Sequence, residues 1–126
     1  MKLAPQHLDD LALEALGAEA ARLISTGNLR SLHARFGYAL TFDRDPIEAL
    51  TKDVATSLAE IGASGFGDLG QLSIKVRRFA PNGTGVSGVV ECVVPANNGK
   101  QLAIELVLST SGSESHLTLE QISAVV

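Results

Sequence analysis

The chain has 126 residues, a formal net charge of −4 and a sequence pI of about 5.2. Hydrophobic residues make up 45% and charged residues 19%, a balance that excludes the charged, apolar-poor composition of a disordered chain. Aromatic residues are only 4%, with no Trp, so the core must be aliphatic.

One domain of this size buries enough apolar surface to fold without a disulfide or metal staple. The single cysteine, Cys92, excludes an internal disulfide and any Cys-rich zinc site. Lys75, Arg77 and Arg78 form the only basic cluster and fall in a strand-like segment, a poor electrostatic footprint for nucleic acid. Asp9 and Asp10 interrupt any signal-peptide core, and no apolar run approaches the roughly 20 residues that span a bilayer. The expectation is a cytoplasmic chain with no membrane and no nucleic-acid partner.

In chain order, the first predicted helix covers about 7–26. Leu13, Leu16, Ala20, Leu23 and Ile24 recur at helical spacing, and Leu8, Leu11 and Ala15 widen the apolar stripe. Gly27 supplies a stop. A short second helix, about 29–36, puts Leu29, Leu32 and Phe36 on one face. The third, about 46–61, has the clearest start. Asp45 caps, Pro46 suits the first helical position, and Glu48 completes a capping-box-like pattern. Ile47, Leu50, Val54, Leu58 and Ile61 then align in one stripe, and Gly62 ends it.

Four strand-like runs follow, at about 72–79, 86–94, 101–109 and 115–125. The first alternates Leu72, Ile74 and Val76 with Ser73, Lys75 and Arg77. The second is apolar on both phases, which marks a central strand. Asn97-Asn98-Gly99 is a hairpin signal. The third places Leu102, Ile104, Leu106 and Leu108 on one face. In the fourth, Leu117 and Leu119 are in phase while Ile122, Ala124 and Val126 fall on the other phase. A bulge near Glu120-Gln121 would reunite them. The short polar links exclude parallel crossovers. The predicted class is therefore α+β over residues 1–126: three N-terminal helices on one face of a four-stranded antiparallel meander.

Catalytic and cofactor signatures are missing. Gly65-Phe66-Gly67-Asp68-Leu69-Gly70 matches G-x-G-x-x-G formally, but it follows a helix and precedes a strand, the reverse of a dinucleotide site, and reads as a connector. His7, His33 and His116 show no metal-ligand spacing. Cys92 sits among valines, where a buried, inert thiol is expected. No cofactor, metal or catalytic residue is predicted.

Two surfaces remain as candidates. Asp43, Asp45, Glu48 and Asp53 gather around the start of the third helix, with Phe36, Tyr38 and Phe42 beside them. Carboxylates favour helix N-termini, which accounts for part of the cluster. Aromatics beside carboxylates also suit a protein-binding spot, and both readings stay open. The alternative is the outer sheet face, where Lys75 and Arg77 oppose Glu91 and Glu105 in cross-strand pairs.

The segment from Ala21 to Leu32, helix–Gly–polar–helix, resembles the opening of the cystatin-like cone of nuclear-transport-factor-like proteins. Leu102 to Val126 resembles the closing hairpin of that cone. Small bacterial proteins of this outline include immunity proteins of toxin–immunity systems. Enzymes of the superfamily place Asp, Tyr or His inside the cone. Here the inward phases read Leu, Ile and Val, and only His116, Glu120 and Gln121 are polar candidates near the inner face of the last strand. The leading expectation is a protein-binding module, a cytoplasmic immunity protein that neutralises a cognate, basic toxin by direct binding. The alternative is a small-molecule-binding or catalytic cone of the isomerase or dehydratase kind. A third reading is a homodimer paired through the outer sheet face.

Overall fold

The computed structural model describes residues 1–125. Three helices, α1 (Asp10–Ser25), α2 (Leu29–Phe36) and α3 (Pro46–Glu60), precede a strand meander. The sheet has five strands: β1 (Lys2–Leu3), β2 (Ser73–Arg78), β3 (Val86–Pro95), β4 (Gln101–Ser111) and β5 (Glu114–Val125). Their order is β1-β5-β4-β3-β2, and every neighbouring pair is antiparallel. The class is α+β, in an arrangement consistent with a cystatin-like fold.

The expected four-stranded sheet is thus corrected to five. β1 pairs Lys2 with His116 and Leu3 with Ser115 at the edge of β5. Two residues are too few to show an alternation, so periodicity gives no sign of this strand. From β1 the chain crosses beneath the sheet as three helices and re-enters at the opposite edge as β2.

Each helix start has a local cause. Asp9 accepts a hydrogen bond from the Ala12 N–H at 2.7 Å, so α1 begins at Asp10, after a 3₁₀ turn at Pro5–His7. Asp45 accepts from the N–H groups of Ile47 and Glu48, at 3.1 and 3.0 Å, and Pro46 follows it.

α1 buries Leu13, Gly17, Ala20, Ala21 and Ile24 against β2 and β3. Gly17 is where helix and strand come closest. A Cβ there would lie 2.9 Å from Val90 Cγ1 and 3.0 Å from Cys92 Sγ. The predicted widening of this stripe through Leu11 and Ala15 is not observed, because both side chains are exposed. The sheet lies on the Gly17 side of the helix, which turns Leu11 and Ala15 to solvent.

β3 and β4 alternate, burying Val90, Cys92 and Val94 and then Leu102, Ile104, Leu106 and Leu108, with Pro95 also buried at the end of β3. β5 carries a bulge: Glu105 pairs with Gln121 while Leu106 pairs with Leu119, leaving Glu120 as the extra residue. Leu117, Leu119 and Ile122 consequently face the same core. Val126, expected on that face, lies outside the described residues. The interior is filled by aliphatic side chains with Phe36, the Tyr38 ring and Cys92, and no buried side-chain polar atom among the described residues lacks a hydrogen-bond partner.

Candidate functional site

The α2–α3 connection is fixed by both backbone and side-chain hydrogen bonds. Gly37 ends α2 with φ 72°, a conformation glycine adopts without strain. The chain then runs along the free edge of β5. Tyr38 bridges Leu119, and the Ala39 N–H donates to the Leu119 carbonyl at 3.0 Å. This edge position buries the Tyr38 ring and sends its hydroxyl towards α3.

There the Tyr38 hydroxyl donates to Asp53 Oδ2 at 2.5 Å. Asp53 also accepts two guanidinium N–H groups of Arg44, each at 3.2 Å. The same guanidinium donates to the Leu40 carbonyl at 2.6 Å and to the Thr41 carbonyl at 2.9 Å. Arg44 therefore ties the ascending limb of the loop to α3 through four acceptor contacts. Burial alone would push the Asp53 carboxyl up, but the Arg44 and Tyr38 hydrogen bonds outweigh it and hold the group below its usual range. Burial, reinforced by the Asp53 carboxylate, raises the Tyr38 hydroxyl well above its ordinary value.

Between Thr41 and Arg44 lie Phe42 and Asp43, both with positive φ, 48° and 65°. The left-handed region costs a non-glycine residue about 1–2 kcal/mol, and Asp tolerates it better than Phe. Phe42 is nevertheless 76% exposed, so burial of its ring does not offset the strain. Beside this tip is an open groove of about 300 Å³ lined by Tyr38, Leu40, Phe42, Arg44, Asp53, Thr56, Ser57, Glu60 and Ile122.

Of the residues singled out in the sequence, Tyr38, Phe42 and Asp53 converge on this groove, and Asp43 stands at the tip. Asp45 is engaged in capping α3. Glu48 is exposed in the first turn of α3 and does not line the groove. Phe36 is in the core. Arg44 and Glu60 are groove residues that the sequence reading passed over. The Arg44–Asp53 spacing matches no rule for helix neighbours, since the two are joined across a loop.

The outer sheet face is a separate surface. Lys75 stands opposite Glu91, and Arg77 Nη2 lies 3.1 Å from Glu91 Oε2. Glu105 stands directly opposite Glu91 on the other side, an unfavourable like-charge neighbour. His116 and Gln121, expected near the inner face of β5, instead lie on the outer face. The buried set Ser115, Leu117 and Leu119 fixes the inward phase, and Gln121 pairs with outward Glu105. Glu120 occupies the bulge. Among the described residues, no three His, Cys, Asp or Glu side chains converge as a metal site, and no helix is long and apolar enough to cross a membrane.

Neither a family model, a curated protein nor a solved structure matches this chain.

Proposed function

We propose that this protein is a protein-binding module that engages its partner through the Phe42 tip and the adjoining groove. The observation that carries this reading is a single one: an aromatic side chain that is 76% exposed sits in a left-handed conformation, on a loop that Arg44 pins to α3. Backbone strain that burial does not compensate accumulates at functional sites, and a pre-positioned aromatic loses little entropy on binding. Such a side chain is the kind of anchor that dominates interfaces.

Charge supports a basic partner. Arg44 is engaged within the loop, while Asp43 and Glu60 flank the groove without an ion-pair partner among the described residues. A basic protein would be steered to this end of the molecule and would associate faster. The cystatin-like outline and the net acidity fit an immunity protein that occludes a basic cognate toxin. The small-molecule reading finds less support. The interior is packed with aliphatic side chains, and the polar groups of Tyr38, Arg44 and Asp53 are turned on one another.

The test is co-purification with the product of the neighbouring gene, followed by titration of the pair. The expected result is a complex that the Phe42→Ala substitution weakens by about 2 kcal/mol, roughly thirtyfold in Kd. No co-purifying protein and a neighbour without a toxin-like domain would count against the immunity reading. A complex indifferent to Phe42→Ala would remove the tip from it.

A further inference from the structure

Two Asn–Gly pairs sit in the turns of the sheet, Asn82-Gly83 between β2 and β3 and Asn98-Gly99 between β3 and β4. Both asparagines are exposed, so exposure does not distinguish them. Their hydrogen bonds do. At Asn98 the side-chain amide donates to the Ile61 carbonyl at 2.8 Å, and the Gly99 N–H donates to the Ala96 carbonyl at 3.4 Å. The amide that would leave and the nitrogen that would attack it are both engaged. At Asn82 the amide makes only a 3.4 Å contact with the Val86 carbonyl, and the Gly83 N–H has no hydrogen-bond partner among the described residues.

The Asn82 carbonyl is polarised as well. Its Oδ1 accepts from the Thr84 N–H at 3.0 Å and from the Thr84 hydroxyl at 2.5 Å. The Val86 N–H donates to the same hydroxyl oxygen at 3.2 Å, which leaves the hydroxyl proton for Asn82. Asn98 Oδ1 receives one donor, the Lys100 N–H at 3.2 Å. Two donors on a carbonyl oxygen stabilise the negative charge that develops there under attack, as an oxyanion hole does. Glycine at the next position leaves the attacking nitrogen unhindered and its backbone free to rotate.

We propose that Asn82 is a self-modification site of the folded protein, converted to aspartate and isoaspartate within its own turn while Asn98 stays an amide. The Gly83 N–H gives its proton to hydroxide, and the nitrogen lone pair forms a bond to Asn82 Cγ. The Cγ–Nδ2 bond breaks, and Nδ2 leaves as ammonia after taking a proton from water. The resulting succinimide adds one water. Cleavage of the ring at Cγ gives aspartate. Cleavage at the main-chain carbonyl carbon gives isoaspartate, with the chain continuing through Cγ. Either product places a new carboxylate on the wall of a groove of about 340 Å³ that includes Phe79 and shares no lining residue with the Phe42 groove.

Peptide mapping by mass spectrometry of the full chain, kept folded at mildly alkaline pH, tests the proposal. Asn82 should convert about tenfold or more faster than Asn98, because Asn98 must first break two hydrogen bonds. Isoaspartate at position 82, separated from aspartate by chromatography, identifies the succinimide route. Thr84→Val should slow Asn82 about fivefold by removing one donor, and Thr84→Ser should keep the wild-type rate. In urea, where the turns are lost, the two asparagines should react alike and Thr84→Val should make no difference. Equal rates at Asn82 and Asn98 in the folded chain overturn the proposal. So does a Thr84→Val effect that is absent from the folded chain or persists in urea.

Discussion

Phe42 is held where a bulky side chain is disfavoured, and the surrounding residues show what holds it there. The Arg44 guanidinium grips the Leu40 and Thr41 carbonyls from one side and Asp53 from the other, so the tip has little freedom to relax. This gives an expectation that does not depend on knowing a partner. Phe42→Gly relieves about 1–2 kcal/mol of left-handed strain and adds about 0.5–1 kcal/mol of unfolded-chain entropy. The net effect should be a stabilisation of about 0.5–1 kcal/mol, read as a higher urea midpoint with an unchanged slope. A lower midpoint would show that the exposed ring contributes to folding after all. The residue scale is also where the sequence was least informative. Tyr38, Phe42 and Asp53 stand out by type, as aromatics near carboxylates. Arg44, which organises them, sits between two aspartates and reads as one more surface charge. Its partners are two backbone carbonyls of its own loop and a carboxylate on the following helix, and no periodicity encodes a contact of that kind.

Among the elements, α1 and β3 define how closely helices and sheet can approach. The helix crosses its strand at Gly17, with Val90, Cys92 and Ile74 within 3.3 Å of where a Cβ would be. Gly17→Ala would improve helix propensity by about 1 kcal/mol but force about 1–3 kcal/mol of overpacking, because Val90 is β-branched and stands on a central strand. The expected net is a loss of about 1 kcal/mol, measurable by denaturant titration. A gain would mean that α1 can lift from β3 at little cost. In a sequence this glycine looks like a flaw in an otherwise good helix, and only the close crossing explains it. The start of α3 and the bulge in β5 are readable for the opposite reason. Asp45-Pro46 is a local signal satisfied by local backbone N–H groups. The phase change between Leu119 and Ile122 is a local break in a period of two. β1 is invisible because its only evidence is a long-range pairing with Ser115 and His116. The outward turn of Leu11 is hidden likewise, since α1 carries more apolar residues than one sheet contact can cover.

For the molecule as a whole, the helices and the inner sheet face enclose one aliphatic core, and Cys92 reports on its integrity. The thiol is fully buried on β3 beneath α1, next to the Gly17 crossing. Burial, with a smaller contribution from the neighbouring Glu91 carboxylate, pushes its pKa up to about 12. The native thiol is therefore both covered and protonated at neutral pH, and the thiolate that reacts with disulfide reagents forms only after opening. β3 lies between β2 and β4, so freeing Cys92 requires α1 to leave the sheet. If helices and sheet unfold as one cooperative unit, the rate of thiol labelling in dilute urea should rise with the same denaturant slope as global unfolding. The opening free energy from labelling should then equal the equilibrium stability. A labelling rate nearly independent of urea would show instead that α1 detaches in a local opening. The Phe42 loop, bonded to β5 at Leu119 and to α3 at Asp53, would then keep its place on the sheet while α1 opens. Agreement of the two slopes would mean that the Phe42 loop is carried on one rigid frame of helices and sheet, as a pre-positioned aromatic anchor requires.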